Sequence, residues 1–281
     1  MNDTSIAVGA DEWTGRTGNS WAAQWRRTDR SFAMLTERLL QRIGEHAFDA
    51  ALDIGCGAGE LSLAMARLHP HSRVVGVDIS PQLLDVARQR AGTHHSGLTF
   101  ELADAATWRP AVTFAPELIV SRHGVMFFAD PVSAFAHLGA LAAPRANLLF
   151  SCFRTWEENP AFADVARLLP TPPPPPASDA PGPFAFSDRA WVERILAEAG
   201  WSDIAFEPYD FAMVVGAGAD PIADTADYFA SIGPAARALR EMDEPAREQF
   251  FAALRELADR NLREGIVSLR AGAWIVSARR P

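Results

Sequence analysis

The stretch Asp53-Ile54-Gly55-Cys56-Gly57-Ala58-Gly59 puts an acid and three glycines on alternate positions. It stands between an apolar run, Ala50 to Ile54, and a helical pattern from about Glu60 to Leu68. Glycine loses more backbone freedom on folding than any other residue, so such a cluster marks backbone that turns tightly or lets another group come close. A strand, a glycine turn and a helix in immediate succession begin a βαβ unit. The alternation then repeats. Arg73 to Asp78 is a short apolar run bounded by turn residues, expected as a buried parallel strand. Ser80-Pro81 opens a helix that runs to about Ala91, with serine as N-cap and proline at the first helical position. Leu98–Leu102, Glu117–Ser121 and Ala146–Phe153 read as strands, and Pro131–Leu141 as a helix. The pattern predicts an α/β, Rossmann-like fold: a mostly parallel sheet with helices on both faces.

The flanking segments read differently. Trp21, Trp25, Phe32, Leu35, Leu39 and Ile43 recur mostly at threes and fours, which predicts one helix over Ser20–Ile43. Arg26, Arg27 and Arg30 in it read as a solvated face. Five consecutive prolines, Pro172 to Pro176, favour extended polyproline II backbone, either a spacer or part of a pocket wall. Beyond them, Ser187–Ala199 reads as a helix ending at Gly200, and Trp201–Val214 as a strand region. Pro221–Arg263 is largely helical in pattern, and Ala273–Ala278 is a final strand. The chain is expected as a single domain over 1–281. Within it, 1–45 forms a helical cap, 46–155 and 187–214 the core, 156–186 a Pro-rich insertion, 215–264 a helical lid and 265–281 the final strand.

Lys and Arg number 26 against 35 Asp and Glu, a formal charge of −9, which disfavours a nucleic-acid partner. Two cysteines, Cys56 and Cys152, form no disulfide framework or zinc ligand set and suit a reducing, cytoplasmic setting. The start of the sequence lacks a signal-peptide pattern, and no apolar run approaches the roughly 20 residues of a membrane span. His94 and His95 are adjacent, so their side chains diverge, and no acid or cysteine stands at metal-ligand spacing; no metal is expected.

Dinucleotide-binding turns carry a third glycine where this chain has Glu60, whose charge would repel a pyrophosphate. A phosphate-binding P-loop would need Lys-Ser/Thr after the last glycine, and none follows. A ligand carrying both a carboxylate and an ammonium suits the stretch better. The turn N–H groups and the helix dipole favour the carboxylate, and Asp53 favours the ammonium. Asp78, at the end of the second strand, is placed to accept from two ribose hydroxyls. Asp104 and Ala105, past the third strand, suit an adenine edge: the carboxylate accepts from the exocyclic amine and the Ala105 N–H donates to a ring nitrogen. The three acids end successive strands and so converge on one crevice.

These residues resemble a class I S-adenosylmethionine-dependent methyltransferase. LDIGCGAGELSLAMA, with Gly55, Cys56, Gly57 and Gly59, is similar to the family's first motif. VVGVDIS, with Asp78 and Ile79, is similar to the second, and ELADA to the third. Within the family, Ser121-Arg122-His123-Gly124 and Trp13-x-Gly15-x-x-Gly18-x-x-Trp21 resemble bacterial small-molecule enzymes related to the quinone-biosynthesis group. The resemblance implies a seven-stranded sheet with an antiparallel last strand and S-adenosyl-L-methionine as cofactor, with S-adenosyl-L-homocysteine as product. It also implies that Ser121 to Gly124 face the sulfonium. Ala143-Pro144-Arg145-Ala146 departs from the family's usual Pro-Gly-Gly turn.

Methyl transfer from a sulfonium is an in-line displacement, so such an enzyme mainly aligns its partners in a dry site. His123 is the candidate base, or else part of the pocket wall. Arg122 either holds an acidic acceptor or pairs with Asp130. Trp13, Trp21 and Trp25 either close over the cofactor or bury their helix, while Met126, Tyr228 and Phe229 are candidates for the acceptor pocket. The acceptor is expected to be a small, apolar or aromatic metabolite; a tRNA or protein substrate, or cofactor binding without catalysis, are the alternatives. The residues imply no particular oligomeric state.

Overall fold

Asp130, Asp220 and Asp243 each accept the N–H three residues on, at 3.0, 3.0 and 2.9 Å, and each is followed by a first-turn proline. These caps start three of the helices that flank the sheet, for reasons local to the sequence. The computed structural model describes residues 10–93, 97–177 and 180–281; His94 and His95 lie outside them. The chain opens with α1 (Ala10–Thr14), α2 (Arg16–Ala23), α3 (Trp25–Ser31) and α4 (Ala33–Ile43). The core follows as β1 (Ala50–Ile54), α5 (Glu60–Leu68), β2 (Arg73–Asp78), α6 (Pro81–Ala91), β3 (Leu98–Leu102), β4 (Leu118–Arg122), α7 (Pro131–Leu141) and β5 (Asn147–Phe153). Then come α8 (Pro160–Arg167), α9 (Arg189–Glu198), β6 (Ser202–Gly216), α10 (Pro221–Ser231), α11 (Pro234–Ala238), α12 (Glu244–Arg260), β7 (Leu262–Arg263) and β8 (Ile266–Arg279).

The sheet order is β3-β2-β1-β4-β5-β8-β6. The first five pair in parallel, while β8 runs antiparallel between β5 and β6. This is the sheet the resemblance implies, with an eighth strand, the two-residue β7, added on β8. The strand order reverses between β1 and β4: the chain runs outward from β1 to β3 on one side and from β4 to β5 on the other. That is the switch point at which the C-terminal strand ends of an open α/β sheet leave a crevice. Strands β1, β2, β4 and β5 are buried almost throughout, as strands covered on both faces must be. Among the described residues, no helix is long and apolar enough to cross a membrane.

The single helix expected over Ser20–Ile43 is instead three. It breaks at Gln24 (φ −104°, ψ 14°) and Phe32 (φ −103°, ψ 11°). Thr28 and Ser31 return their hydroxyls to the backbone at Trp25 O and Thr28 O, 2.9 Å each, a competition that weakens continuous helix. The breaks let α3 lie against the far end of the chain. Arg27 and Arg30 pair with Asp224 of α10 at 2.6 and 2.7 Å, so this part of the basic cluster is an interhelical clamp, not a solvated face.

Gly18 in α2 faces the start of α6. A Cβ there would stand 2.1 Å from Trp13 O and 2.4 Å from Ser80 Oγ. Alanine in mid-helix normally gains about 1 kcal/mol over glycine. Here Gly18→Ala is expected to lose roughly 1–3 kcal/mol from overpacking. Equilibrium urea unfolding measures the sign; a stabilised variant would contradict this packing.

Candidate active site

All three turn glycines adopt left-handed backbone, with φ of 62° at Gly55, 54° at Gly57 and 81° at Gly59. Two are also confined by neighbours. A Cβ on Gly55 would lie 2.9 Å from Gly124 Cα, and one on Gly59 2.9 Å from Phe100 Cζ and 3.0 Å from Ala87 Cβ. Gly57 meets nothing within 4 Å: its backbone borders open space. The turn's own N–H groups are largely committed. Gly55 N and Cys56 N donate to Val77 O at 2.9 and 3.1 Å, Gly57 N to Asp78 Oδ2 at 2.8 Å, and Gly59 N to Cys56 O at 2.9 Å. These four are not free to meet a ligand carboxylate, contrary to the sequence-based expectation. The N-terminal turn of α5 remains for an anionic group, and Ala58 and Leu61 there border the cavity.

The three acids end β1, lie at the end of β2 and follow β3, and all border the same cavity. Asp53 is almost fully buried and accepts from Ser62 Oγ at 2.5 Å. Burial pushes its carboxyl up to about 7, against the opposing Ser62 bond and Arg122. Asp78 is also raised by burial. Its two oxygens accept from Gly57 N and Ser80 N, 2.8 Å each, so it fixes the turn and the start of α6 together. Asp104 is exposed, accepts from Ala106 N at 2.9 Å and borders the cavity. Ile79 and Ala105 border it beside their acids.

The cavity, about 1370 Å³, continues from this crevice into a lobe walled by rings. His123 lies there with φ 61°, stacked on Phe153 at 4.1 Å and edge-on to Phe32 at 5.3 Å. Both its ring nitrogens are buried without a hydrogen-bond partner. Burial, with Arg122 adding to it, holds the imidazole down to about 3, so the ring is neutral throughout the physiological range. Arg122 does not pair with Asp130, which caps α7. It donates to Thr36 Oγ1 at 2.7 Å and to Asp29 Oδ1 at 3.2 Å. Trp13, Trp21, Met126 and Tyr228 border the cavity, and the Tyr228 hydroxyl is 3.2 Å from Ser31 Oγ. Pro170, Pro172 to Pro174, Pro176, Pro181 and Pro183 line one wall, so the Pro-rich segment is more than a spacer.

Four expected site residues stand behind the wall. Gly59 packs under it. Ser121 donates to Ile54 O at 2.7 Å and accepts from Gly124 N at 3.0 Å, bracing the turn against the segment after β4. Trp25 lies between the guanidinium groups of Arg26 and Arg90, at 4.3 and 4.1 Å. Phe229 packs edge-on beneath Tyr228 at 5.1 Å. Sequence reasoning missed Asp29, Trp156, Phe162 and Phe184, which reach the cavity from the cap and from the segments after β5. For the three rings the only sequence signal was position, beyond the C-terminal end of β5; Asp29 carried none.

Residues 51–145 match a family described as a methyltransferase domain. Over 106 residues the chain is 38% identical to a trans-aconitate 2-methyltransferase of Methylobacterium radiotolerans, covering 38% of each chain. Over 156 residues it is 27% identical to a demethylmenaquinone methyltransferase of Deinococcus radiodurans, covering 55% of this chain and 54% of that protein. The matched stretches thus span only part of these relatives' lengths. A Haemonchus contortus phosphoethanolamine N-methyltransferase 2, solved in complex with S-adenosyl-L-methionine, shares the fold. It has a TM-score of 0.57 at 15% identity, over 98% of this chain and 60% of that one. The core from β1 to the turn before β5 is thus similar to a methyltransferase domain, and the bacterial relatives that the chain matches are a trans-aconitate and a demethylmenaquinone methyltransferase.

Asp53 yields a stability test. Folded, it keeps its proton up to about pH 7; unfolded, only to 3.8. Its neutral form therefore favours folding at low pH, and that advantage is lost as pH rises through 7. Asp53→Asn, which does not titrate, is expected to be more stable than wild type by roughly 2–4 kcal/mol at pH 8, with a smaller gain at pH 5. Urea unfolding at the two pH values reads the difference; an equal or reversed effect would contradict a buried, uncompensated carboxyl.

Proposed function

We propose that this chain transfers a methyl group from S-adenosyl-L-methionine to a small metabolite with an apolar, ring-bearing body, and releases S-adenosyl-L-homocysteine. One observation carries the reading: a single cavity joins the three strand-end acids to a lobe walled by Phe32, His123, Phe153, Trp156 and Phe184. The residues fit the cofactor. Gly57 leaves room for a close approach, Asp53 is a buried carboxylate with capacity for an ammonium, and Asp78 and Asp104 stand where ribose and adenine polar edges need acceptors. When bound, the cofactor supplies a methyl group already activated on a sulfonium.

The chain's own part is to hold, align and keep dry. Asp53, Asp78 and Asp104 fix the nucleoside and its amino-acid arm. The aromatic lobe and the proline wall exclude water from the acceptor side. Apolar, ring-shaped acceptors match the lobe, since flat rings gain from stacked and edge-on contacts. His123 contacts the acceptor as a neutral ring, because burial opposes the protonated form that a general base must reach. The acidic chain favours a small-molecule acceptor over a nucleic acid.

Isothermal titration with S-adenosyl-L-homocysteine should show saturable binding at pH 8. Asp78→Ala should weaken it by at least about tenfold, since both the ribose contact and the turn's anchor go. Affinity should fall by up to about tenfold per pH unit below 7, as Asp53 takes up its proton; a flat pH profile would remove the ammonium role of Asp53. Once a labelled-methyl screen of cell metabolites has found the acceptor, His123→Phe should lower turnover by less than about tenfold, whereas loss of a general base costs about 10²–10⁴. A larger loss would restore the base role.

A further inference from the structure

Glu60 and Arg90 flank the glycine turn from α5 and α6, and neither borders the cavity. Arg90 makes four contacts that link separate parts of the fold. Its Nη1 donates to Ala58 O, in the turn, at 2.7 Å. The same nitrogen pairs with Asp29 Oδ2, on α3 of the cap, at 2.9 Å. Its Nη2 pairs with Glu60 at the first residue of α5. Its guanidinium plane lies over Trp25, also on α3, at 4.1 Å. Asp29 in turn holds Arg122 at 3.2 Å, at the end of β4. The side chains of Asp29, Arg90 and Arg122 are 13%, 17% and 16% exposed, so water screens these charges little.

The turn needs such support. Three left-handed residues in five leave a segment with few intrinsic restraints, and Gly57 and Ala58 stand on its open side. Asp78 secures it at Gly57, on the ribose side. Ala58, toward the start of α5, has Arg90 as the side chain on its carbonyl.

Resting on the methyltransferase reading, we infer that Arg90 is a positioning residue for the cofactor. Through Ala58 O and Asp29 it holds the amino-acid end of the glycine turn in its binding shape, and makes that shape depend on the docked N-terminal cap. Arginine suits this role because its planar fork serves a carbonyl and two carboxylates at once, which lysine cannot do. Trp25, set behind the cavity wall, then has a purpose: it fixes the plane of that fork.

The experiment compares two ligands that use different ends of the site. Adenosine engages the Asp78 and Asp104 side; S-adenosyl-L-homocysteine adds the amino-acid arm at the turn. Titrations are run on wild type, Arg90→Met, Arg90→Lys, Asp29→Asn and the Arg90→Met/Asp29→Asn double variant. Arg90→Met should raise the S-adenosyl-L-homocysteine Kd about tenfold or more, and the adenosine Kd less than about threefold. Asp29→Asn, which keeps shape and fold, should follow the same pattern. The double variant should be little worse than the more affected single, because the two residues act through one contact. Arg90→Lys should fall between wild type and Arg90→Met. Unchanged S-adenosyl-L-homocysteine binding in Arg90→Met would overturn the proposal, and so would equal weakening of both ligands, the mark of a general loss of structure. A wild type that binds neither ligand would overturn the methyltransferase reading itself and this proposal with it.

Discussion

Asp78 accepts two backbone N–H groups at once, and the remainder of the site depends on that pair of bonds. One oxygen holds Gly57 and so sets the open face of the turn; the other holds Ser80 and so sets the first residue before α6. Ser80 in turn caps α6, and its side chain is the surface on which Gly18 of the cap lies. A single carboxylate thus connects the glycine turn, the second helix of the core and the N-terminal cap. Its burial raises the cost of its charge, and the two backbone donors offset that cost. The residue proposed for the ribose is therefore also the one that keeps the turn and the start of α6 in shape.

Several features that weaken the fold in isolation are concentrated around the cavity. Asp53 is buried against the preference of its charged form. His123 holds a left-handed backbone that non-glycine residues seldom adopt, and both its ring nitrogens lack partners. The Trp13 indole nitrogen is buried and unpartnered as well. Unsatisfied polar atoms and strained backbone persist where the surrounding structure holds them, and they gather at functional sites. Here they border one cavity, between the strand ends and the cap. The ion pairs of Arg27 and Arg30 with Asp224 tie that cap to α10, so the walls of the cavity are joined to one another as well as to the core.

The core elements were legible because their signals are local. Ser80-Pro81 and Asp130-Pro131 mark helix starts through their own caps, and the apolar runs of β1 and β2 mark buried strands. The three acids were legible because each stands at, or just past, the C-terminal end of a strand. What the sequence hid depends on distant partners. Arg122 was expected either on an acidic acceptor or beside Asp130, eight residues away, yet it pairs with Asp29, 93 positions distant. The break of the N-terminal helix at Gln24 and Phe32 accompanies the docking of α3 on α10, a distant partner that periodicity does not record. Strands β6 and β8 run longer than expected because antiparallel pairing between them carries them on to Gly216 and Val267. Ser121 was expected to face the sulfonium and Trp25 either to close over the cofactor or to bury its helix, while their hydrogen bonds and ring contacts put both just behind the cavity.

The central claim is that the crevice at the ends of β1, β2 and β3 holds an adenosyl group with its amino-acid arm along the glycine turn. A crystal structure of the protein soaked with S-adenosyl-L-homocysteine tests it directly. The account requires ribose hydroxyls within hydrogen-bond distance of Asp78, the adenine beside Asp104 and Ala105, and the ammonium near Asp53. Density for the ligand elsewhere, or a crevice left without ligand at saturating concentration, would contradict it.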